Sequence, residues 1–171
     1  THSDSSAASD VYKRQAEKLI AGLTARGLDV ATLKHAHHAF DADTPGKDSY
    51  RHRKAGARQV IVSSRARSVL FTENADRGES RLEDLLDALA PADIVIVEGY
   101  KREPIPKIEI FRTATGKPPL YTEDSRIIAV ATDEPSALLS NAPPSLDLND
   151  IEAIVDFVCN LSNAGAVAAA S

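Results

Sequence analysis

Between Lys34 and Arg53 the chain carries its densest set of residues able to do chemistry. Lys34-His35-Ala36-His37-His38 is followed by Asp41 and Asp43, then by Pro45-Gly46-Lys47-Asp48-Ser49-Tyr50-Arg51-His52-Arg53. Imidazoles and carboxylates together supply the donors of a divalent metal site. Lys34, Lys47, Arg51 and Arg53 equally supply the charged donors of an anion cradle. A solvated polar loop is the third reading. On a strand, His35 and His37 share one face and His38 takes the other, so at most two imidazoles point together without a turn. Spacing alone leaves all three readings open.

Glu98 ends the most hydrophobic run of the chain and is followed by Gly99, which permits a turn or the close approach of a ligand. A carboxylate there is placed to hold magnesium, directly or through water, or to orient an attacking water. Lys101 and Arg102 add charge suited to phosphate. Asp133, after the run Ile127–Ala131, has two acceptor oxygens that match the N1–H and 2-amino group of guanine. A helix cap or a turn is the plainer role for that Asp, as solvent exposure is for Glu98.

These residues need elements to hold them. Apolar positions Ala16, Leu19, Ile20 and Leu23 predict a helix from about Val11 to Arg26, closed by Gly27. Val30–Leu33 reads as a strand that delivers the polar tip at Lys34 to His38. A charged helix over Tyr50–Ala57 precedes two strands, Gln59–Ser63 and Ser68–Thr72, whose short link makes them antiparallel. Ser80 and Glu83 form a capping-box pattern before a helix ending ahead of Pro91. Asp93–Val97 has the unbroken apolar character of a central parallel strand. Lys107–Phe111, Arg126–Ala131 and a helix from about Asn149 to Leu161 complete the series. The fold class is α/β, a mostly parallel sheet flanked by helices. In such sheets ligands sit off the carboxyl ends of the strands, which selects Lys34 to His38, Glu98 to Tyr100, and Thr132 to Glu134.

The whole chain sets bounds. Its 171 residues suit one domain. A net charge of −5 lacks the basic field that nucleic-acid binding uses. Cys159 is the only cysteine, which excludes an internal disulfide and a four-thiolate cage and suits a reducing, cytoplasmic setting. No run approaches the ~20 apolar residues of a membrane span. The Ser, Ala and Asp composition of Thr1 to Asp10 predicts an unfolded lead-in, and residues 162–171 a disordered tail. No GxxxxGK[ST] string is present, so the glycine-rich cradle of backbone N–H groups, with its Lys and magnesium-binding hydroxyl, is missing.

Taken together, Leu33-Lys34-His35-Ala36-His37-His38, Pro45-Gly46-Lys47-Asp48-Ser49-Tyr50-Arg51, Lys54-Ala55-Gly56-Ala57, Val97-Glu98-Gly99-Tyr100-Lys101-Arg102-Glu103, Pro106-Lys107-Ile108-Glu109 and Ile128-Ala129-Val130-Ala131-Thr132-Asp133 resemble the molybdopterin-guanine dinucleotide biosynthesis protein B family, over residues 16–161. The resemblance implies a P-loop NTPase-like protein that binds GTP with magnesium and hydrolyses it slowly. It further implies a homodimer that assists the guanylyltransferase attaching GMP to molybdopterin.

By that resemblance Glu98 is the catalytic and magnesium-binding acid at the end of a Walker-B-like strand, and Asp133 contacts guanine. Lys34, His35, His37, His38, Lys47, Asp48, Arg51, Gly99, Lys101 and Arg102 line the crevice facing nucleotide, molybdopterin or the partner enzyme. The family's N-terminal strand and phosphate loop are replaced here by the lead-in of residues 1–15. The expectations are weak GTP binding, no useful hydrolysis, and a sheet whose remaining strands expose unpaired ladder groups. Two other functions stay open: an adaptor that holds the guanylyltransferase without nucleotide work, and a metal-dependent hydrolase built on His35, His37, Asp41 and Asp43.

Overall fold

The computed structural model describes residues 3–36, 40–163 and 169–170, with side chains described within residues 13–161. In chain order its elements are α1 (Ser3–Ala25), β1 (Val30–Lys34), α2 (Asp48–Lys54), β2 (Gln59–Ser63), β3 (Ser68–Thr72), α3 (Leu82–Asp87), β4 (Ile94–Glu98), β5 (Lys107–Phe111), β6 (Ile127–Thr132), β7 (Ser145–Asp147), α4 (Ile151–Asn163) and β8 (Ala169–Ala170). The chain divides into two compact units, residues 36–85 and the remainder, where length alone suggested one domain. The insertion carries its own hairpin and ion-pair network, which accounts for its separateness.

The larger unit is built on a six-stranded sheet in the order β1-β4-β8-β5-β6-β7, with every pairing parallel. Alternation along the strands sends Ile94, Ile96, Ile108, Ala129 and Ala131 to one face, where they pack with Leu19 and Leu23 of α1 and Ile154, Val155 and Val158 of α4. Phe111 and Val130 lie in a second cluster with Tyr121. Helix α1 ends as the sequence predicts. Gly27 takes φ +82, its N–H bonds to Thr24 O at 2.9 Å and the Leu28 N–H to Leu23 O at 3.3 Å, a Schellman closure.

Three local expectations are corrected. Helix α1 begins at Ser3, through residues whose composition suggested an unfolded lead-in. Once a helix is nucleated each added residue gains a hydrogen bond, and Ala and Ser pay little to join it. Ser80 does not close a capping box: its Oγ donates to Asn74 Oδ1 at 3.4 Å, and α3 spans only Leu82–Asp87. Ala169 and Ala170, in the tail expected to be disordered, form β8.

Within β5 two charges are buried. Lys107 is 1% exposed, with Nζ donating to Glu103 O at 2.7 Å and to Asp124 Oδ2 at 3.0 Å. Glu109 is 3% exposed and accepts the N–H groups of Leu120 at 2.7 Å and Tyr121 at 3.0 Å, at the start of a short turn of helix. Each charge is therefore matched inside the protein, as burial requires.

In the smaller unit β2 and β3 pair antiparallel, as their short link predicts. Arg53 is its hub, donating to Asp43 Oδ2 at 3.0 Å, Glu73 Oε1 at 2.6 Å and both oxygens of Asp41 at 2.8 and 2.9 Å. Its guanidinium also lies 5.2 Å from the Phe71 ring centroid. The hairpin leaves Ile61 and Leu70 exposed at 70% and 51%.

Candidate functional site

In a parallel sheet all carboxyl ends share one edge, so β1, β4, β5 and β6 deliver Lys34, Glu98, Arg112 and Asp133 to the same side. At the β1 and β4 tips the ladder runs one residue past the strands, with His35 N–H donating to Glu98 O at 2.9 Å. Lys34 Nζ donates to Glu98 Oε2 at 3.1 Å; the ammonium side chain is 59% exposed and the carboxylate 13%. Glu98 therefore has a defined position and a neutralising neighbour.

The chain then reverses sharply. Gly99 takes φ +88, and a Cβ there would lie 2.8 Å from His35 Cβ, so both conformation and space require glycine. Tyr100 follows at φ +52, a left-handed conformation unusual for a bulky residue. Its ring sits 5.0 Å from that of His35, tilted by 42°. Two adjacent left-handed residues at a strand tip are strained backbone, of the kind that gathers at ligand sites. Lys101 and Arg102 follow, exposed.

At the other end of the edge, Arg112 Nε donates to Asp133 Oδ2 at 2.7 Å. Asp133 Oδ1 is buried with no hydrogen-bond partner among the described residues. An orphaned acceptor oxygen facing inward calls for an N–H donor. The two ends are not level. Glu98 shares a register row with Ala170, Ile108 and Ala129, so Asp133 stands four positions further along the strand direction. Across the sheet the β4 and β6 tips are three strand spacings apart, roughly 14 Å.

Of the residues predicted from sequence, the structure brings Lys34, His35, Glu98 and Gly99 together, with Lys101 and Arg102 next in the chain, and places Asp133 further along the same edge. His37 and His38 lie outside the described residues. Lys47, Asp48 and Arg51 belong to the smaller unit, where all three are exposed on or beside α2. There Lys47 and Asp48 line a depression of about 490 Å³ with Thr44, His52 and Ile61. Arg53 has left the anion cradle imagined for it and serves the three carboxylates instead. Asp41 and Asp43, candidates for a metal, are both engaged by that guanidinium, and no cluster of three or more His, Cys, Asp or Glu able to hold a metal exists among the described residues. Arg112 was missed, because its partner lies 21 residues away.

Comparison with known proteins agrees with this geometry. Residues 15–133 match the family Molybdopterin guanine dinucleotide synthesis protein B (MobB). The molybdopterin-guanine dinucleotide biosynthesis adapter protein of Escherichia coli (strain K12) is 45% identical over 145 residues, covering 83% of this chain and 81% of that one. That of Haemophilus influenzae is 41% identical over 150 residues, covering 84% and 79%. Among solved structures, that of a molybdopterin-guanine biosynthesis protein B aligns with a TM-score of 0.67 at 21% identity, over 88% of this chain and 90% of that one. Bacillus subtilis MobB aligns with a TM-score of 0.66 at 22% identity, over 86% and 88%. These structures share the fold, and the sequence matches decide the rest: the chain belongs to the molybdopterin guanine dinucleotide synthesis protein B family.

Proposed function

We propose that this protein is a cytoplasmic accessory factor in the synthesis of molybdopterin guanine dinucleotide, and that its carboxyl sheet edge receives a guanine nucleotide. The observation that carries the reading is the pair of tips on one edge: Glu98 beside a strained glycine turn, and Asp133 with an unmatched inward oxygen. A base contact at Asp133 and a phosphate contact near Lys34, Lys101 and Arg102 correspond to the two ends of an extended nucleoside triphosphate.

The fit to GTP with magnesium is uneven. At the base end Asp133 offers an acceptor that guanine can use and adenine, lacking the N1–H and 2-amino donors, cannot. At the phosphate end there are point charges, and the sequence has no glycine-rich cradle of N–H groups. Glu98 would hold magnesium, which when bound neutralises phosphate charge. Binding is expected to be weak and selective, with no useful hydrolysis. Titrating GTP and ATP by calorimetry tests this. GTP should bind more tightly than ATP, and Asp133→Asn should remove the preference; equal affinities in the unaltered protein would refute it.

A second reading, an adaptor that holds the guanylyltransferase or molybdopterin without nucleotide work, is favoured by the exposed Ile61, Val62, Val69 and Leu70 of the β2–β3 hairpin. The same surface suits a homodimer. Capture of purified guanylyltransferase in the absence of nucleotide would support the adaptor role. Capture only with GTP would refute it.

A further inference from the structure

The middle of the sheet holds a strand too short for its neighbours. β8 pairs Ala169 with Val97 and Lys107, and Ala170 with Glu98 and Ile108, and nothing else. β4 and β5 are five residues each and share only those two register rows. Among the described residues they have no direct ladder with each other. Three residues of each, Ile94 to Ile96 and Glu109 to Phe111, therefore face the gap without a β8 partner.

Such a gap is unlike an ordinary sheet edge. Its walls are buried: Ile94 is 4% exposed, Ile96 2%, Glu109 3% and Phe111 8%. Unpaired N–H and C=O groups carry a large desolvation cost in such surroundings. Both flanking strands run in one direction, which fixes the direction of whatever lies between them.

We propose that the gap is a seat for an extended segment of another polypeptide, added as a parallel strand, and that β8 is a displaceable occupant. The required chemistry follows from the walls. The segment runs parallel to β4 and β5 and is eight residues long where it satisfies both ladders, three before the place of Ala169 and three after that of Ala170. It is apolar on both faces, because the neighbouring strands are covered on both, and it has no proline, which would remove ladder donors. Strand addition of this kind draws its affinity from main-chain hydrogen bonds and its selectivity from alternate side chains. An incoming strand of that length offers each wall more rungs than β8 does, so it wins by the number of ladder bonds. The proposal is independent of nucleotide binding.

The test uses the full chain and a dye-labelled peptide of eight Val, Ile and Ala residues between lysine pairs, with a control carrying proline at its centre. Fluorescence anisotropy should show saturable binding of the first and none of the second. Hydrogen exchange should show new protection at Ile94–Glu98 and Lys107–Phe111, and none at β2 or β3. Ala169→Pro deletes a rung of β8 and should tighten peptide binding by about fivefold, the effect of one ladder hydrogen bond. Absence of binding, equal binding of the proline control, or protection confined to β1, β7 or the β2–β3 hairpin would overturn the proposal. So would a second copy of this chain filling the seat, seen as a dimer in sedimentation that Ala169→Pro dissociates.

Discussion

The ammonium of Lys34 stands 3.1 Å from Glu98 Oε2, joining the tips of two adjacent parallel strands. With Lys34 largely in solvent, the pair contributes little to stability, about 1 kcal/mol or less. Its effect falls on the carboxylate, which has a resident cation. Lys34→Met should leave the thermal midpoint nearly unchanged and tighten magnesium binding, whereas Glu98→Gln should abolish it. Magnesium titrations of the nucleotide-free protein decide the matter: identical affinity in the unaltered protein and Glu98→Gln would remove Glu98 from any metal role.

Gly99→Ala should destabilise the protein by about 1–3 kcal/mol, since it adds left-handed strain to a contact with His35. Because the clash is with His35 Cβ, the same change in a His35→Gly background should cost less, leaving only the backbone part. Urea unfolding of the four proteins measures the coupling. Simple additivity would mean that the contact is relieved by movement of the turn.

Gly22 of α1 meets Val155 of α4, where an added Cβ would fall 2.6 Å from Val155 Cγ2. Gly22→Ala improves helix propensity but overpacks the α1–α4 contact, for a net cost of about 1–2 kcal/mol. Pairing it with Val155→Ala restores room and should recover part of the loss. A Gly22→Ala protein more stable than the parent would show that the two helices separate freely.

Three carboxylates lie below their ordinary range. Asp41 is lowered first by the Arg53 guanidinium and then by the Asp43 N–H. For Asp43, burial pushes upward but is outweighed by hydrogen bonds from Ser49 Oγ, Arg53 and the Thr44 N–H. Asp124 is held far down by Arg126, against burial and with help from Lys107. A depressed folded-state pKa means that the unfolded chain takes up protons first, so this stabilisation is complete above about pH 5 and lost as pH falls through and below about 4. The urea midpoint should be flat near neutrality and drop in acid. Arg53→Met should lower the midpoint at neutral pH and shrink the acid-dependent part, since Asp41 and Asp43 then titrate alike folded and unfolded. An unchanged acid slope would show that the Arg53 hub is not formed in solution.

The parallel alternation was legible because its signals are local. Lys107–Phe111 is bounded by Pro106 and a polar flank, and Gly27 closes α1 where only glycine fits. The antiparallel Gln59–Thr72 pair could also be read, and an antiparallel hairpin inside a parallel series was itself a sign that residues 36–85 form a separate unit. Charge partnerships were not legible. Nothing in the sequence tells Arg53, which gathers three carboxylates, from Arg51, which faces solvent. The match of Arg112 to Asp133 and the seating of Ala169 between β4 and β5 are decided by tertiary proximity, to which residue type gives no clue.

Lys107 and Glu109 point to the same side of β5, and each finds its counter-charge or N–H donors there. A slip of β5 by one residue would turn both toward the apolar layer formed by α1 and α4, stranding a cation and an anion among leucines and valines. The two buried charges thus act as a key cut into an otherwise featureless hydrophobic strand. Alternative alignments are penalised far more heavily than the native one is rewarded, so β5 has a single way to sit beside β6.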